Sequence, residues 1–393
     1  MAHMFEAEHM TKVLVPSASH NLTDHLLSSE GISCYNIFQK LEKFGYQFEA
    51  ISARVHIKKP LSNVTAHQTG SFETSPTSNV ATKYLNHTEI MIRSYKKSQE
   101  ILQKQKIDVI HHMLPAIHNQ TFNLLAILKK GKCPFVFGPI SAHVYPRPVD
   151  EKVLSKVTSR LHKKTISKCD LLVTITDQVK KFYSKVFDET RIWTIPLGVD
   201  TKQFKPSEEG QQKEGIEISF AGYLYKLKGA KYLLEAMNIV SKEHEDVTLR
   251  IAGDGPEKLH LIKLSEALKI QDKVIFEGVV PHNMMPSFYQ RCDIFCFPTL
   301  GEPFGKAVIE AMSCAKPVIA SNSGGPAEII KNEKTGLLVP PAQPEILATK
   351  INELLDDQTK IKQMGANARK TVIEKYSWEK IGEKYHALYE SLT

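Results

Sequence analysis

The stretch PTLGEPFGKAVIEAMSCAKPVIASNSGGPAEII (residues 298–330) decides how the chain is read. It follows DIFCFP (293–298), an apolar run of the kind that forms a strand buried on both faces. FGKAVIEAMSC (304–314) carries apolar residues at helical spacing, and KPVIAS (316–321) is a second apolar strand. Strand, loop, helix, strand is the pattern of a parallel sheet covered by helices. The loop places Glu302 just before the helix and Gly305 in its first turn. Backbone N–H groups of a first turn have no helical partners, so they form a ready seat for a diphosphate or a polarised sugar oxygen. In that loop an ionised carboxylate can accept hydrogen bonds from sugar hydroxyls. Glu310, two turns in, shares the helical face of Lys306 and can take a cis-diol bidentately.

The same alternation runs outward in both directions. Upstream lie strand-like IEISFAGY (216–223), VTLRIAGDG (247–255) and KVIFEGVV (273–280), separated by helical AKYLLEAMNIVSKEH (230–244) and KLHLIKLSEALK (258–269). In the first half, TKVLVPSAS (11–19), FEAISARV (48–55), IDVIHHM (107–113), PFVFGPI (134–140) and CDLLVTIT (169–176) read as strands. CYNIFQKLEKFGY (34–46) reads as a helix ending at Gly45, and the polar segment 62–82 as a long loop. The polar tail 205–215 is the best linker. The expected fold is α/β, with two doubly wound Rossmann-like domains facing across a cleft and the last helix crossing back to the first. The expected boundaries are 1–204, 205–375 and 376–393. Ligands of such sheets bind beyond the carboxyl ends of the strands.

With 393 residues, the chain exceeds what one hydrophobic core usually supports, which favours two domains. No apolar run reaches membrane-spanning length, and the polar N-terminus MAHMFEAEHMTK lacks the apolar core of a signal peptide. A cytoplasmic protein is expected. The six cysteines form no C-x-x-C pair and read as buried free thiols, and no Asp-x-Asp pair invites a divalent metal. Residues 1–200 hold 26 basic against 17 acidic side chains, a balance of +9, while the remainder holds 25 against 26. The first half therefore suits an anionic partner. Zinc-finger spacing, RNP-like aromatics and a basic arm are all missing, so nucleic acid is not expected. DEKVLSKVTSRLHKKTISKCD (150–170) is a helix with Lys152, Lys156, Arg160 and Lys163/Lys164 on one side, a stripe able to touch an anionic membrane, although such stripes are more often plain solvated faces.

The strings IPLGVDTKQFKP, FAGYLYKLKGAKYLLEA, LRIAGDGPE, CDIFCFPTLGEPFGKAVIEAM and KPVIASNSGGPAEII together resemble the donor-binding signature of the family 4 retaining glycosyltransferases with the GT-B fold. The resemblance covers most of the chain and implies transfer of a sugar from a nucleotide diphosphate sugar, UDP- or GDP-linked, to a glycan or lipid-linked acceptor without a further cofactor. It implies that Glu302 and the Phe304–Lys306 backbone, Gly305 included, hold the transferred sugar and that Glu310 holds the ribose. Lys228 in YLYKLKG (223–229) matches the lysine that contacts the diphosphate and stabilises the departing charge. Gly222 belongs to the same donor loop, and Val280 lines the base through its backbone.

The chain departs from the family at three places. Tyr223 stands where an arginine is usual, and Gly31 alone remains of a glycine-rich loop that would place amides before a helix. The family's histidine is unmatched at GPIS, leaving His112 and His143 as acceptor-side candidates, although such histidines are more often structural. Two other readings are weighed. A nucleotide-dependent oxidoreductase would need G-x-G-x-x-G, and after GDG (253–255) the next glycine position is Lys258. A non-catalytic partner subunit draws its support from Tyr223, against intact Glu302, Lys228 and Glu310.

Overall fold

The structure, a computed structural model, describes residues 10–25, 29–70, 80–113, 116–117, 121–128, 133–141, 152–207 and 215–393. His143 and part of the linker stretch lie outside the described residues. Two compact units are present, Met1–Pro196 with Ile381–Thr393, and Leu197–Lys380.

The first unit contains strands β1 (Lys12–Val15), β2 (Asn21–Thr23), β3 (Gln47–Ser52), β4 (Arg54–His56), β5 (Val64–Gln68), β6 (Val109–His112), β7 (Ala116–Ile117), β8 (Phe135–Ser141), β9 (Leu171–Thr174) and β10 (Ile192–Thr194). Its main parallel sheet runs β10-β9-β8-β6-β1-β3-β5, with β7 beside β8. The chain winds outward from β1 in one direction and then returns to β6 to wind outward in the other, the doubly wound arrangement. Helices α1 (Ser29–Leu41), α2 (Val80–Lys104), α3 (Leu124–Leu128), α4 (Lys152–Ile166) and α5 (Asp177–Tyr183) connect the strands.

Two expectations are corrected here. Segment 62–82 is not one loop: Val64–Gln68 pairs in parallel with β3, and α2 begins at Val80. The strand sits at the sheet edge with only partial burial, so its sequence lacks a continuous apolar run. His67 Nε2 also meets the Glu49 carboxylate across the two strands at 2.6 Å. The helix ending at Gly45 starts earlier than its apolar spacing suggests. It opens at Ser29, so Gly31 is a buried residue of the first turn of α1 and not a residue before it. Gly45 itself adopts φ 76°, the left-handed conformation that ends helices.

The second unit repeats the architecture with β11 (Ile216–Ala221), β12 (Val247–Ala252), β13 (Val274–Gly278), β14 (Ile294–Phe297), β15 (Val318–Ser321) and β16 (Gly336–Val339). The order β13-β12-β11-β14-β15-β16 is parallel throughout and reverses direction between β11 and β14. Helices α6 (Ala230–Val240), α7 (Lys258–Ala267), α8 (Met285–Arg291), α9 (Lys306–Ser313), α10 (Gly325–Ile329), α11 (Pro344–Leu355) and α12 (Gln358–Lys375) fill the connections. Ile218, Phe220, Ile294, Phe295, Val318 and Ile319 are fully buried, as central parallel strands require. Glu217 is the charged exception on β11. Its carboxylate is matched by Arg250 at 3.0 Å and Arg291 at 3.5 Å, because a buried charge left alone would be strongly destabilising.

Residues 197–207 belong with this second unit. Phe204 is buried, its carbonyl accepts from Ser313 Oγ at 2.6 Å, and Val199 N–H donates to Tyr376 O at 2.8 Å. Trp378 closes the same corner: a side chain at Gly198 would reach within 2.4 Å of its ring. Helix α13 (Trp378–Glu390) starts here, and from Ile381 onward its residues belong to the first unit. There Leu388 and Tyr389 are buried, and the Tyr389 hydroxyl pairs with His111 Nδ1 at 2.7 Å.

Candidate functional site

The reversal between β11 and β14 opens a crevice at the carboxyl ends of those two strands, the place where doubly wound sheets bind ligands. Three loops of the second unit meet there, following β11, β14 and β15. Leu300 N–H donates to Leu227 O at 2.8 Å, and Thr299 Oγ1 donates to the same carbonyl at 2.9 Å. Gly229, at φ 72°, comes so close that an added Cβ would lie 1.9 Å from Pro298 O. The third loop is held as closely, with Gly325 N–H donating to Glu302 O at 2.8 Å. The glycines in these loops thus permit backbones to touch.

Inside this frame, Lys228 and Glu302 form an ion pair between the Lys228 ammonium and Glu302 Oε2. Both side chains are largely withdrawn from water, at 16% and 12% exposure. The Lys228 ammonium also stands 5.4 Å from the centre of the Phe297 ring and 5.9 Å from that of Tyr225, within cation–π range. Glu302 Oε1 turns to the start of α9, accepting from Gly305 N–H at 3.2 Å and Phe304 N–H at 3.5 Å. Gly305 caps that helix at φ 101°, where L side chains are strained. One carboxylate therefore gathers the lysine and the amides that the sequence marked as anion-binding. Glu302 itself is the anion they hold.

Farther along α9, Glu310 is only 6% exposed. Its Oε2 accepts from the Tyr289 hydroxyl at 2.9 Å, and His282 Nε2 lies 3.9 Å from Oε1. Burial pushes the Glu310 carboxyl up, opposed by the Lys306 charge and the Tyr289 hydrogen bond. Burial in turn pushes Lys306 down, and the Glu310 charge opposes it. Each charge stabilises its neighbour's. His282 is lowered to about 4 by burial and by Lys306, so near neutrality it is uncharged. Sequence reading missed Tyr289 and His282. They lie 21 and 28 positions before Glu310, and no spacing rule links α8 or the turn before it to α9.

The remaining candidates are distributed as follows. Gly222 lies directly after β11, its N–H donating to Ala252 O at 3.0 Å, and half-buried Val280 follows β13. Tyr223 is 62% exposed and packs its ring 5.7 Å from that of Tyr225. The GDG turn is a packing device: Gly253, at φ 140°, would put a Cβ 1.9 Å from Gly222 O. In the first unit, His112 is fully buried against Phe137, and its Nδ1 accepts from the Asn123 side-chain amide at 2.9 Å. Gly31 is likewise buried in α1, so neither presents a surface in this state. Among the described residues, no group of three or more His, Cys, Asp or Glu side chains is arranged to hold a metal ion.

Comparison with known proteins gives a consistent result. Glycosyltransferase Family 4 matches residues 32–203, and Glycosyl transferases group 1 matches residues 201–371. An uncharacterized glycosyltransferase of Methanocaldococcus jannaschii is 29% identical over 326 residues, covering 78% of this chain and 81% of that one. A D-inositol 3-phosphate glycosyltransferase of Corynebacterium jeikeium is 32% identical over 58% of each. Sucrose-phosphate synthase from Thermosynechococcus elongatus superposes with TM-score 0.76 at 19% identity, covering 97% of this chain and 99% of that one. Anabaena HepE, solved in complex with UDP, gives 0.69 at 17% identity, covering 97% and 100%.

Proposed function

The chain belongs to the family 4 glycosyltransferases of the GT-B fold, and from that premise we propose that it moves a sugar from a nucleotide diphosphate sugar to an acceptor hydroxyl with retention of configuration. The observation that carries this reading is the convergence of the Lys228 ammonium and the Phe304 and Gly305 amides on one anionic group at the switch point. A donor diphosphate offers the same lysine and amides more negative charge. When it takes that seat, the Glu302 carboxylate is released to accept from the hydroxyls of the transferred sugar, and Glu310 takes the ribose.

The reaction needs no protein nucleophile. The acceptor oxygen bonds to the anomeric carbon on the face from which the diphosphate departs, the bond from that carbon to the diphosphate breaks, and the hydroxyl proton passes to the leaving phosphate oxygen. The chain's part is orientation and charge stabilisation. Lys228 and the α9 amides face the charge that develops on the leaving group, and a preorganised donor of this kind is worth about 10²–10³ in turnover.

UDP is the first donor nucleotide to test, since HepE, with the same fold, binds it. GDP is the second. A glycan or lipid-linked acceptor, in the synthesis of surface glycan, glycolipid or polysaccharide, is consistent with the +9 balance of residues 1–200. Exposed Arg160, Lys163 and Lys164 beside exposed Val157 on α4 support work in the cytoplasm against an anionic membrane face. Among the described residues, no helix is long and apolar enough to cross a membrane.

A thermal-shift panel of UDP, GDP and ADP on wild type and Glu310→Ala tests the reading. We expect one nucleotide to raise the melting temperature of the wild type and to lose that effect in the variant. No shift with any of the three overturns the donor site. Binding without turnover of any sugar nucleotide would favour the partner-subunit reading, to which Tyr223 points.

A further inference from the structure

A second recognition element stands beside the proposed ribose contact, on which this inference rests. Tyr289 holds Glu310 Oε2 at 2.9 Å, which fixes the carboxylate and leaves Oε1 as the oxygen for a ligand. Facing Oε1 at 3.9 Å is His282 Nε2, a buried nitrogen with no hydrogen-bond partner. Buried polar atoms are nearly always satisfied, so an orphan one invites a group that is absent here. The separation is too long for a direct hydrogen bond, yet one oxygen can sit within ordinary hydrogen-bonding distance of both atoms. The partner atoms also specify what that oxygen must be. A carboxylate only accepts, and an uncharged imidazole with its proton on Nε2 donates. The group between them must donate to Glu310 and accept from His282, which a hydroxyl does and a deoxy carbon does not.

We propose that His282 Nε2 and Glu310 Oε1 form a two-point seat for one ribose hydroxyl, with His282 a specificity-determining residue and Tyr289 a positioning residue. His282 is set in place from both sides. Its ring meets Phe204 edge-on at 5.5 Å, and its backbone lies within the turn closed by Met284 N–H donating to Pro281 O at 2.8 Å. The consequence is discrimination between ribose and deoxyribose donors, beyond simple attachment of the nucleotide.

The test is calorimetric titration of UDP, 2′-deoxy-UDP and 3′-deoxy-UDP (or the GDP series if GDP is the nucleotide bound) into wild type, His282→Ala, His282→Gln and Tyr289→Phe. Wild type is expected to bind the parent nucleotide about tenfold or more tightly than one of the two deoxy forms, the value of about one good hydrogen bond. In His282→Ala that ratio shrinks severalfold but stays above one, because the hydroxyl still donates to Glu310 Oε1 while the deoxy form loses nothing, and His282→Gln, which keeps a donor, restores part of it. Tyr289→Phe lowers the affinity of the parent more than that of the sensitive deoxy form. Equal weakening of all three ligands in His282→Ala, or an unchanged ratio, overturns the two-point seat while leaving the donor site standing. A wild type that binds no nucleotide overturns both.

Discussion

Replacing Glu302 by glutamine should make the protein bind free nucleoside diphosphate more tightly while turning over more slowly. Two anions compete for one seat. Glu302 Oε2 is paired with the Lys228 ammonium, while Oε1 accepts from the Gly305 and Phe304 amides at 3.2 and 3.5 Å. A diphosphate that takes the lysine and the amides must first dislodge this carboxylate. With 16% and 12% exposure the pair is well screened from solvent, so its worth is that of a charge-assisted hydrogen bond, about 1.5–3 kcal/mol, and not the near-zero value of a surface pair. Glutamine keeps the shape and one acceptor oxygen but no charge, so roughly 1–2 kcal/mol of that competition disappears, a factor of about 5–30 in affinity.

Turnover moves the other way, because the sugar hydroxyls lose a charged acceptor and the gain is made in the ground state. Calorimetry with UDP, or with GDP if that is the nucleotide bound, reads the first effect, and initial rates with the matching sugar nucleotide read the second. Weaker or unchanged nucleotide binding in Glu302→Gln would refute the idea that the carboxylate occupies the diphosphate seat.

Two further outcomes follow from the same geometry. His282 is held at about 4, below its ordinary 6.5, by burial and the Lys306 charge, with Asp200 opposing. Its unfolded form therefore takes up a proton that the folded form refuses, so stability is full above about pH 6.5 and is lost as the pH falls toward 4. The full effect is about 3 kcal/mol, of which roughly 2 is gone by about pH 5, so a denaturant titration of His282→Gln should lose about 2 kcal/mol less than wild type between about pH 7 and 5; parallel losses would count against this. Gly229→Ala adds a Cβ 1.9 Å from Pro298 O at φ 72° and should cost about 2–4 kcal/mol and abolish nucleotide binding. Gly45→Ala, at φ 76° with nothing within 4 Å, should cost only about 1 kcal/mol and spare binding, and equal effects at the two sites would refute the loop-contact argument.

How far the fold could be read in advance depended on burial. Central strands such as Ile294–Phe297 and Val318–Ser321 are buried along their whole length, so their sequences are apolar but for the terminal Ser321 and announce themselves. The edge strand Val64–Gln68 is partly exposed at every position and is held by backbone pairing to β3, so its polar sequence resembles a loop. Site residues divide the same way. Glu302, Gly305 and Glu310 lie on one loop and one helix and could be read together. The Lys228–Glu302 pair joins positions 74 apart, and Tyr289 reaches Glu310 from another helix. Only tertiary structure brings such partners together. GDG fails the dinucleotide spacing at Lys258, and the structure supplies another reason for the glycine at 253, the approach of Gly222 O.

Tyr223 is where this logic matters most for function. The family resemblance places an arginine at this position, so tyrosine there is the one sequence feature that speaks for an inactive subunit. The structure shows what the replacement leaves in place. The Tyr223 ring lies outward at 62% exposure, against Tyr225. The Lys228 ammonium is held by Glu302 and by the faces of Tyr225 and Phe297, and Glu310 is held by Tyr289. None of these contacts uses the Tyr223 side chain. Burying a lysine, two glutamates and a histidine so close together works against folding unless each is matched, as these are, or awaits a ligand. A chain that had lost its substrate would gain stability by replacing them with apolar residues. The matched Lys228–Glu302 pair, and Glu310 beside the orphan His282 Nε2, favour the reading of a site that binds a ligand without help from Tyr223.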